Sequence, residues 1–291
     1  MQRLYKYLKK PKSHDFYLKP TVKLSVPKYL NDPFESSISE ELIKAKFDEE
    51  AIDVEWDCTE HIYGMGVLSL SETSRNLLMW AHYADEHKGI CIGYNKDVLS
   101  SLKPYNKKTG CDFYYPERVT YDNLRFDSNE SNKDIPMQAS DIVRQVLTIK
   151  SDDWMYEKEH RCIVPIGWSD RAIQTTKNIG FKRKINKLMD EGYDITIEPL
   201  KGNSSEVIVN EYKDEVFERL SELRGMLFLK QINPKMIETI HLGYRYHSYA
   251  AEVLVDEFSK KSHPLHHVKL YKYEISKIKF ELEAKLLYTP E

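Results

Sequence analysis

Between Lys150 and Pro165 the chain runs Lys-Ser-Asp-Asp-Trp-Met-Tyr-Glu-Lys-Glu-His-Arg-Cys-Ile-Val-Pro, and charge alternates there inside what otherwise reads as a buried strand. On an extended backbone every second side chain shares a face. Glu157, Glu159 and Arg161 therefore point one way, and Lys158, His160 and Cys162 the other. Two carboxylates and a guanidinium projecting in line from an apolar strand must be solvated, paired with one another or used on a ligand. Burying them unpaired costs several kcal/mol or more. The pattern alone leaves all three outcomes open.

The rest of the chain limits what this strand can belong to. With 291 residues, 41% hydrophobic and 31% charged, the sequence suits a globular protein with a sizeable core. No apolar run approaches the roughly 18 residues that a bilayer span needs. The first residues, Met-Gln-Arg-Leu-Tyr-Lys-Tyr-Leu-Lys-Lys, lack the apolar stretch of a secretory signal, so a cytoplasmic location is expected. The 43 basic and 46 acidic residues nearly cancel, and the net charge of -3 indicates no global attraction to nucleic acid or anionic lipid. Cys58, Cys91, Cys111 and Cys162 show no paired metal-ligand spacing and read as reduced, mostly structural thiols. Twenty tyrosines against ten phenylalanines supply rings with polar tips, suited to strands and equally to stacking on a ligand.

Strands are expected at Leu4 to Leu8, Val22 to Val26, Gly66 to Leu70, Ile90 to Tyr94, Ile237 to Leu242, Val268 to Ile275 and Ile278 to Leu287, with residues 111 to 121 also extended. Helices are expected from Ser39, as N-cap, to about Trp56, from Arg75 to Glu86, from Ala139 to Ile149, across the basic segment Lys182 to Lys187, and from Ser248 to Lys260. Asp127 to Lys133 reads as a polar loop. Strands and helices intermingle without a regular βα period. The expected class is α+β, with a mixed, mainly antiparallel sheet and flanking helices, forming a single domain over residues 1–291 with residues 168–213 inserted within it.

His82 and His87 lie five residues apart in the helix Asn76 to Gly89, which excludes the four-residue spacing of a zinc-binding helix. Leu77, Met79, Trp80 and Tyr83 read as a packing stripe, with His82 satisfying a buried hydrogen bond or, with Tyr83, lining a pocket. Asn31-Asp32-Pro33-Phe34-Glu35 is a turn by its chemistry. Brought near the charged strand, Asp32 and Glu35 would add carboxylates to a cleft able to hold a divalent metal. No GxGxxG follows a strand, and no Walker loop or GxSxG elbow is present.

Taken together, Asn31-Asp-Pro-Phe34, Met79-Trp-Ala-His-Tyr83 with His87-Lys-Gly89, Lys150 with Trp154 and Tyr156-Glu-Lys-Glu-His-Arg161, and Ile240-His-Leu-Gly243 resemble the bacterial family called domain of unknown function 2971 (DUF2971). That resemblance implies no catalytic residues, and it implies a loose association with mobile and phage-defence regions. The layout is also distantly similar to ADP-ribosyltransferase-type toxins, in which a late strand presents Glu-x-Glu to a cleft holding NAD. By that resemblance Glu159 stabilises positive charge developing on the ribose, Glu157 orients the acceptor, and Arg161 stands beside them. Lys6 would hold the pyrophosphate, and Trp80, His82, Tyr83 and Trp154 would line the NAD site.

Three functions are therefore in play. The first is an NAD-using transferase or NAD-consuming toxin. The second is a metal-dependent nuclease or phosphodiesterase built from Asp32, Glu35, Glu157 and Glu159. The third is a non-enzymatic module that grips a small nucleotide, peptide or partner protein.

Overall fold

A computed structural model describes residues 3–11, 13–47, 51–102, 113–125, 138–176 and 179–290. The architecture is α+β. An eight-stranded sheet forms its centre, built from β1 (Arg3–Leu8), β3 (Met65–Ser71), β4 (Ile90–Asn95), β5 (Phe113–Arg118), β8 (Glu159–Pro165), β13 (Ile237–Leu242), β14 (Lys269–Ile275) and β15 (Leu282–Tyr288). Their order is β15-β14-β13-β4-β1-β3-β8-β5. Every neighbouring pair is antiparallel except β13 with β14. A second, antiparallel sheet has the order β10-β11-β9-β12-β2, from β2 (Thr21–Leu24), β9 (Arg171–Gln174), β10 (Ile195–Pro199), β11 (Ser205–Val209) and β12 (Met226–Gln231). Short strands β6 (Thr120–Tyr121) and β7 (Ile149–Lys150) pair in parallel beside them.

Residues 168–213 supply β9, β10 and β11, and the sheet they enter is completed by β2 and β12 from outside that segment. Asp127 to Lys133 and Cys111 lie outside the described residues. Cys58, Cys91 and Cys162 are free and buried.

Strand alternation divides the large sheet into two different faces. One face carries Leu4, Leu68, Leu70, Ile90, Ile92, Cys162, Val164 and Ile240 into a continuous apolar core shared with the second sheet. Helices α6 (Ile179–Asp190), α7 (Lys213–Ser221) and α8 (Ser248–Ser259) close that core with Leu188, Phe217 and Phe258. The opposite face is apolar only at its two ends. At one end Met65, Val67 and Ile163 pack beneath α2 (Glu40–Phe47), α3 (Ala51–Tyr63) and α5 (Ala139–Thr148). At the other, Tyr7, Cys91 and Tyr273 pack around Trp80 of α4 (Leu77–Tyr83). Between these ends the same face presents Ser69, Ser71, Glu159 and Arg161, which are in register across β3 and β8.

Two local features set the middle of this face open. Strands β1 and β3 share a single register pair, Tyr5 with Ser71. Below it β3 turns to the second sheet, where Ser25 and Val67 exchange backbone hydrogen bonds of 2.8 Å each way. The resulting notch lies between β1, β2 and β3. At Gly93, opposite Tyr5, an added Cβ would sit 2.3 Å from Thr239 Oγ1 and 3.0 Å from the Tyr5 ring, so only glycine lets that ring lie flat across the sheet.

Two expected elements are shorter than their patterns imply. The helix from Arg75 to Glu86 forms only over Leu77–Tyr83: Asn76 caps it, accepting from Leu78 and Met79 nitrogens at 2.9 and 3.2 Å, and Asp85, Glu86 and His87 adopt positive φ beyond its end. The extended reading of residues 150–165 holds for β7 and β8 only. Ser151 caps a 3₁₀ turn over Asp152–Glu157, and Lys158 follows in the left-handed region at φ 46°.

Candidate functional site

The turn at Lys158 places two sequence-adjacent acids in one hollow. Glu159 reaches it as the first residue of β8, whereas Glu157 reaches it from the end of the 3₁₀ turn. The turn is fastened on both sides. Ser71 Oγ donates to the Glu157 carbonyl at 2.7 Å, Asn76 Nδ2 donates to the Tyr156 carbonyl at 2.6 Å, and Glu159 N donates to the Tyr121 hydroxyl at 2.7 Å. Such bonds fix where both carboxylates emerge.

Around them lies a buried ion network. Lys150 Nζ stands 2.8 Å from Glu157, 3.4 Å from Glu159 and 3.3 Å from Glu35, and it also lies 4.5 Å from the Trp154 ring centroid. Arg161 grips Glu159 through two parallel bonds, Nε to Oε1 at 2.8 Å and Nη2 to Oε2 at 2.9 Å. Its remaining donors go to Glu35 and, at 2.9 Å, to the Leu147 carbonyl in the last turn of α5, where helix carbonyls lack intrahelical partners. All five charged groups are at least 95% buried. Three carboxylates against two cations leave one negative charge in surplus.

The two acids differ in protonation behaviour. Burial opposes the charge on Glu159, but the Arg161 guanidinium outweighs it and holds that carboxyl down to about 2. For Glu157 burial prevails over the pull of Lys150, and its pKa lies above the ordinary carboxylate value. Burial likewise disfavours the Lys150 ammonium, yet Glu159, Glu35 and Glu157 together keep it firmly protonated. Tyr83 Oη donates to Glu157 Oε1 at 2.5 Å and accepts from Asn31 Nδ2 at 2.7 Å. Burial and the Glu157 contact raise the phenol's pKa, so it remains a donor.

Beside the network opens a cavity of about 310 Å³, lined by Glu35, Lys150, Glu157 and Glu159 of the network, here its floor, and by Asn31, Tyr83, Tyr5, Lys6, Lys23 and Ser25, here its wall. This size is at the lower end of ordinary small-molecule pockets. Lys6 begins on the core-facing side, in register with Ile92, and bends into the notch, where its ammonium donates to the Ser69 carbonyl at 2.7 Å. Burial brings its pKa down to about 8.

The structure thus brings Lys6, Tyr83, Glu157 and Glu159 onto one cavity and leaves the other candidates off it. Arg161 is fully buried behind Glu159. Trp80 is also fully buried, donating through Nε1 to the Ser74 carbonyl at 2.8 Å and packing edge-on against Tyr7 and Tyr273. His82 points outward and is exposed, since the i, i+4 relation places Tyr83 with Met79 on the inner side of a short helix. Trp154 lies under Lys150 and does not line the cavity. Lys150, Asn31 and Lys23 were missed from the sequence. A lone lysine at a helix-to-strand junction carries no periodic signal, although the position of Lys150 at the head of the charged stretch was visible.

Glu35 does join Glu157 and Glu159, but Lys150 and Arg161 occupy the space among the three. Asp32 turns away, and its Oδ1 accepts from Phe34 N at 2.9 Å. Among the described residues no group of three His, Cys, Asp or Glu side chains is placed to hold a metal ion.

One stretch of the chain is similar to a known family. Residues 79–162 match the model of that family, DUF2971, described as a protein of unknown function. The matched stretch runs from α4 to the middle of β8 and so contains Tyr83, Lys150, Glu157, Glu159 and Arg161, whereas Lys6, Lys23 and Glu35 lie before it. No curated protein and no solved structure matches the chain. No helix among the described residues is long and apolar enough to cross a membrane.

Proposed function

We propose that this cavity binds a nucleotide of the NAD type and that the protein is an ADP-ribosyl-transferring or NAD-consuming enzyme. One observation carries the reading: the acids of the network, Glu157 and Glu159, and the Lys6 ammonium line one and the same cavity. A ligand that fits this polarity has an anionic portion and, some distance along, a centre that becomes positive during reaction. NAD supplies such a centre, because its bond from ribose to nicotinamide breaks with positive charge developing on the sugar.

The residues divide the work by their electrostatics. Glu159 is ionised across the physiological range and is held immobile by Arg161, which suits it to fixed negative charge beside the sugar. Glu157, with its raised pKa, is suited to taking a proton from an acceptor hydroxyl or water. Tyr83 holds Glu157 in place, and Lys150 and Arg161 keep the two acids from repelling each other apart. Lys6 faces the phosphates, and the rings of Tyr5 and Tyr83 offer apolar surface for the base.

The test is release of nicotinamide from NAD by the purified protein, alone and with cell extract as a source of acceptors. Wild type is expected to release it, and Glu157→Gln and Glu159→Gln to lower the rate about a hundredfold or more. Absence of release by wild type, or variants that release nicotinamide as fast as wild type, overturns the proposal. Thermal stabilisation by NAD without turnover would instead identify a binding module.

A further inference from the structure

The wall of this cavity contains a second lysine that the reading above does not use. Lys23 comes from β2, the edge strand of the smaller sheet, and it reaches the cavity because β2 is joined to β3 at the Ser25–Val67 bridge. Among the described residues neither Lys6 nor Lys23 has a carboxylate within ion-pair distance, although acids line the same cavity and are all bound to Lys150 or Arg161. Both ammonium groups line this one cavity; burial lowers the pKa of Lys6, the attraction of Glu159 opposes that, and the charge of Lys23 lowers it further. Like charges gathered at the edge of one cavity repel one another, and neither ammonium is neutralised by an ion pair of its own. An anion held between them relieves that repulsion.

We propose that Lys6 and Lys23 form a two-cation subsite, spanning both sheets, for the diphosphate group of the ligand. The inference rests on this cavity being the ligand site, and it narrows the substrate class to molecules carrying two linked phosphates, whether the bridge of a dinucleotide or the tail of a mononucleotide. A nucleoside or single sugar would engage the acidic floor only. Lys23 is the informative position because it is exposed and takes no part in the sheet core, whereas replacing Lys6 also removes the donor to the Ser69 carbonyl.

The experiment is calorimetric titration of the full chain with inorganic pyrophosphate, ADP, ADP-ribose and adenosine. Binding of the three diphosphates and not of adenosine is expected. Lys23→Gln should weaken each by about tenfold, Lys23→Arg should restore it, and the exposed control Lys261→Gln should leave it unchanged; tenfold corresponds to about 1.4 kcal/mol. A circular-dichroism melt of each variant confirms that the fold is intact. Failure of wild type to bind pyrophosphate and ADP, or equal affinity in Lys23→Gln, overturns the subsite. Diphosphate binding without nicotinamide release would remove the NAD chemistry and leave the subsite standing. Nicotinamide release that is indifferent to Lys23→Gln, with no pyrophosphate binding, would do the reverse.

Discussion

The floor and the wall of the cavity treat charge in opposite ways. On the floor, Arg161 and Lys150 meet three glutamates, and every guanidinium nitrogen of Arg161 has an acceptor. On the wall, Lys6 has only a backbone carbonyl and Lys23 has no ion pair among the described residues. Breaking a buried pair by removing one partner is strongly destabilising, while a desolvated cation that has no ion pair costs stability as it stands. The contrast teaches that charge in this cleft is separated by role: the acids are locked in place by internal partners, and the lysines face open space.

The strongest way to break this comparison is Arg161→Leu. It leaves Glu159, Glu35 and the Leu147 carbonyl without their donor, and a loss of about 3–5 kcal/mol is expected in urea denaturation. A loss under about 1 kcal/mol would show that the network is not what holds the floor. Next in size is the acid limb. Because the folded-state pKa of Glu159 is depressed to about 2 from an ordinary 4.5, the unfolded chain binds more protons between these values. Stability therefore rises with pH across that window and is lost as pH falls through it, by about 3 kcal/mol in magnitude, and Glu159→Gln should flatten the slope in a pH series of denaturation curves.

Lys6 sharpens the comparison with the opposite sign. Its folded pKa of about 8 lies below the ordinary 10.5, so the unfolded chain again binds more protons, now between pH 8 and 10.5. The charge of Lys6 works fully against the fold below pH 8, and this contribution is relieved as pH rises through the window. Lys6→Met is expected to raise stability at pH 7 by about 1 kcal/mol, since loss of the bond to Ser69 offsets part of the relief. A destabilised variant would show that the lysine is structural. A smaller effect than that of Arg161→Leu is expected from Tyr83→Phe, which removes the hydrogen bonds of its hydroxyl to Glu157 and from Asn31 and should cost about 1–2 kcal/mol, measured by thermal melting.

Much of the architecture could be read from alternation and capping. The strand from Ile237 to Leu242 and the helix from Ser248 to Ser259 occur almost where their patterns place them, because each buries one continuous apolar face. The α+β class and the mainly antiparallel sheet follow from the same signals. What alternation missed was the interruption at Ser151 to Lys158, where a side-chain cap and a left-handed residue override the extended pattern. Glu157 was placed in the right company for an incomplete reason. Trp80 was misplaced because an aromatic on a short amphipathic helix looks the same whether its ring enters the core or a pocket. Tyr83 was legible from its helix as a residue of the packing stripe or of a pocket, whereas Lys6 entered only through the resemblance to ADP-ribosyltransferases. Lys23, Lys150 and Glu35 are brought in by contacts between distant segments, which no local pattern encodes.

The single rung joining β1 to β3 has one more consequence. A backbone ladder that ends there leaves the Ser69 carbonyl facing an absent neighbour, and the Lys6 ammonium stands in for the missing strand. A molecule settling into the notch would meet a seam in the sheet, and by bonding to groups on both sides it would act as a removable stitch. Occupancy would then be legible far from the cavity, as slower amide exchange along both strands that border the seam.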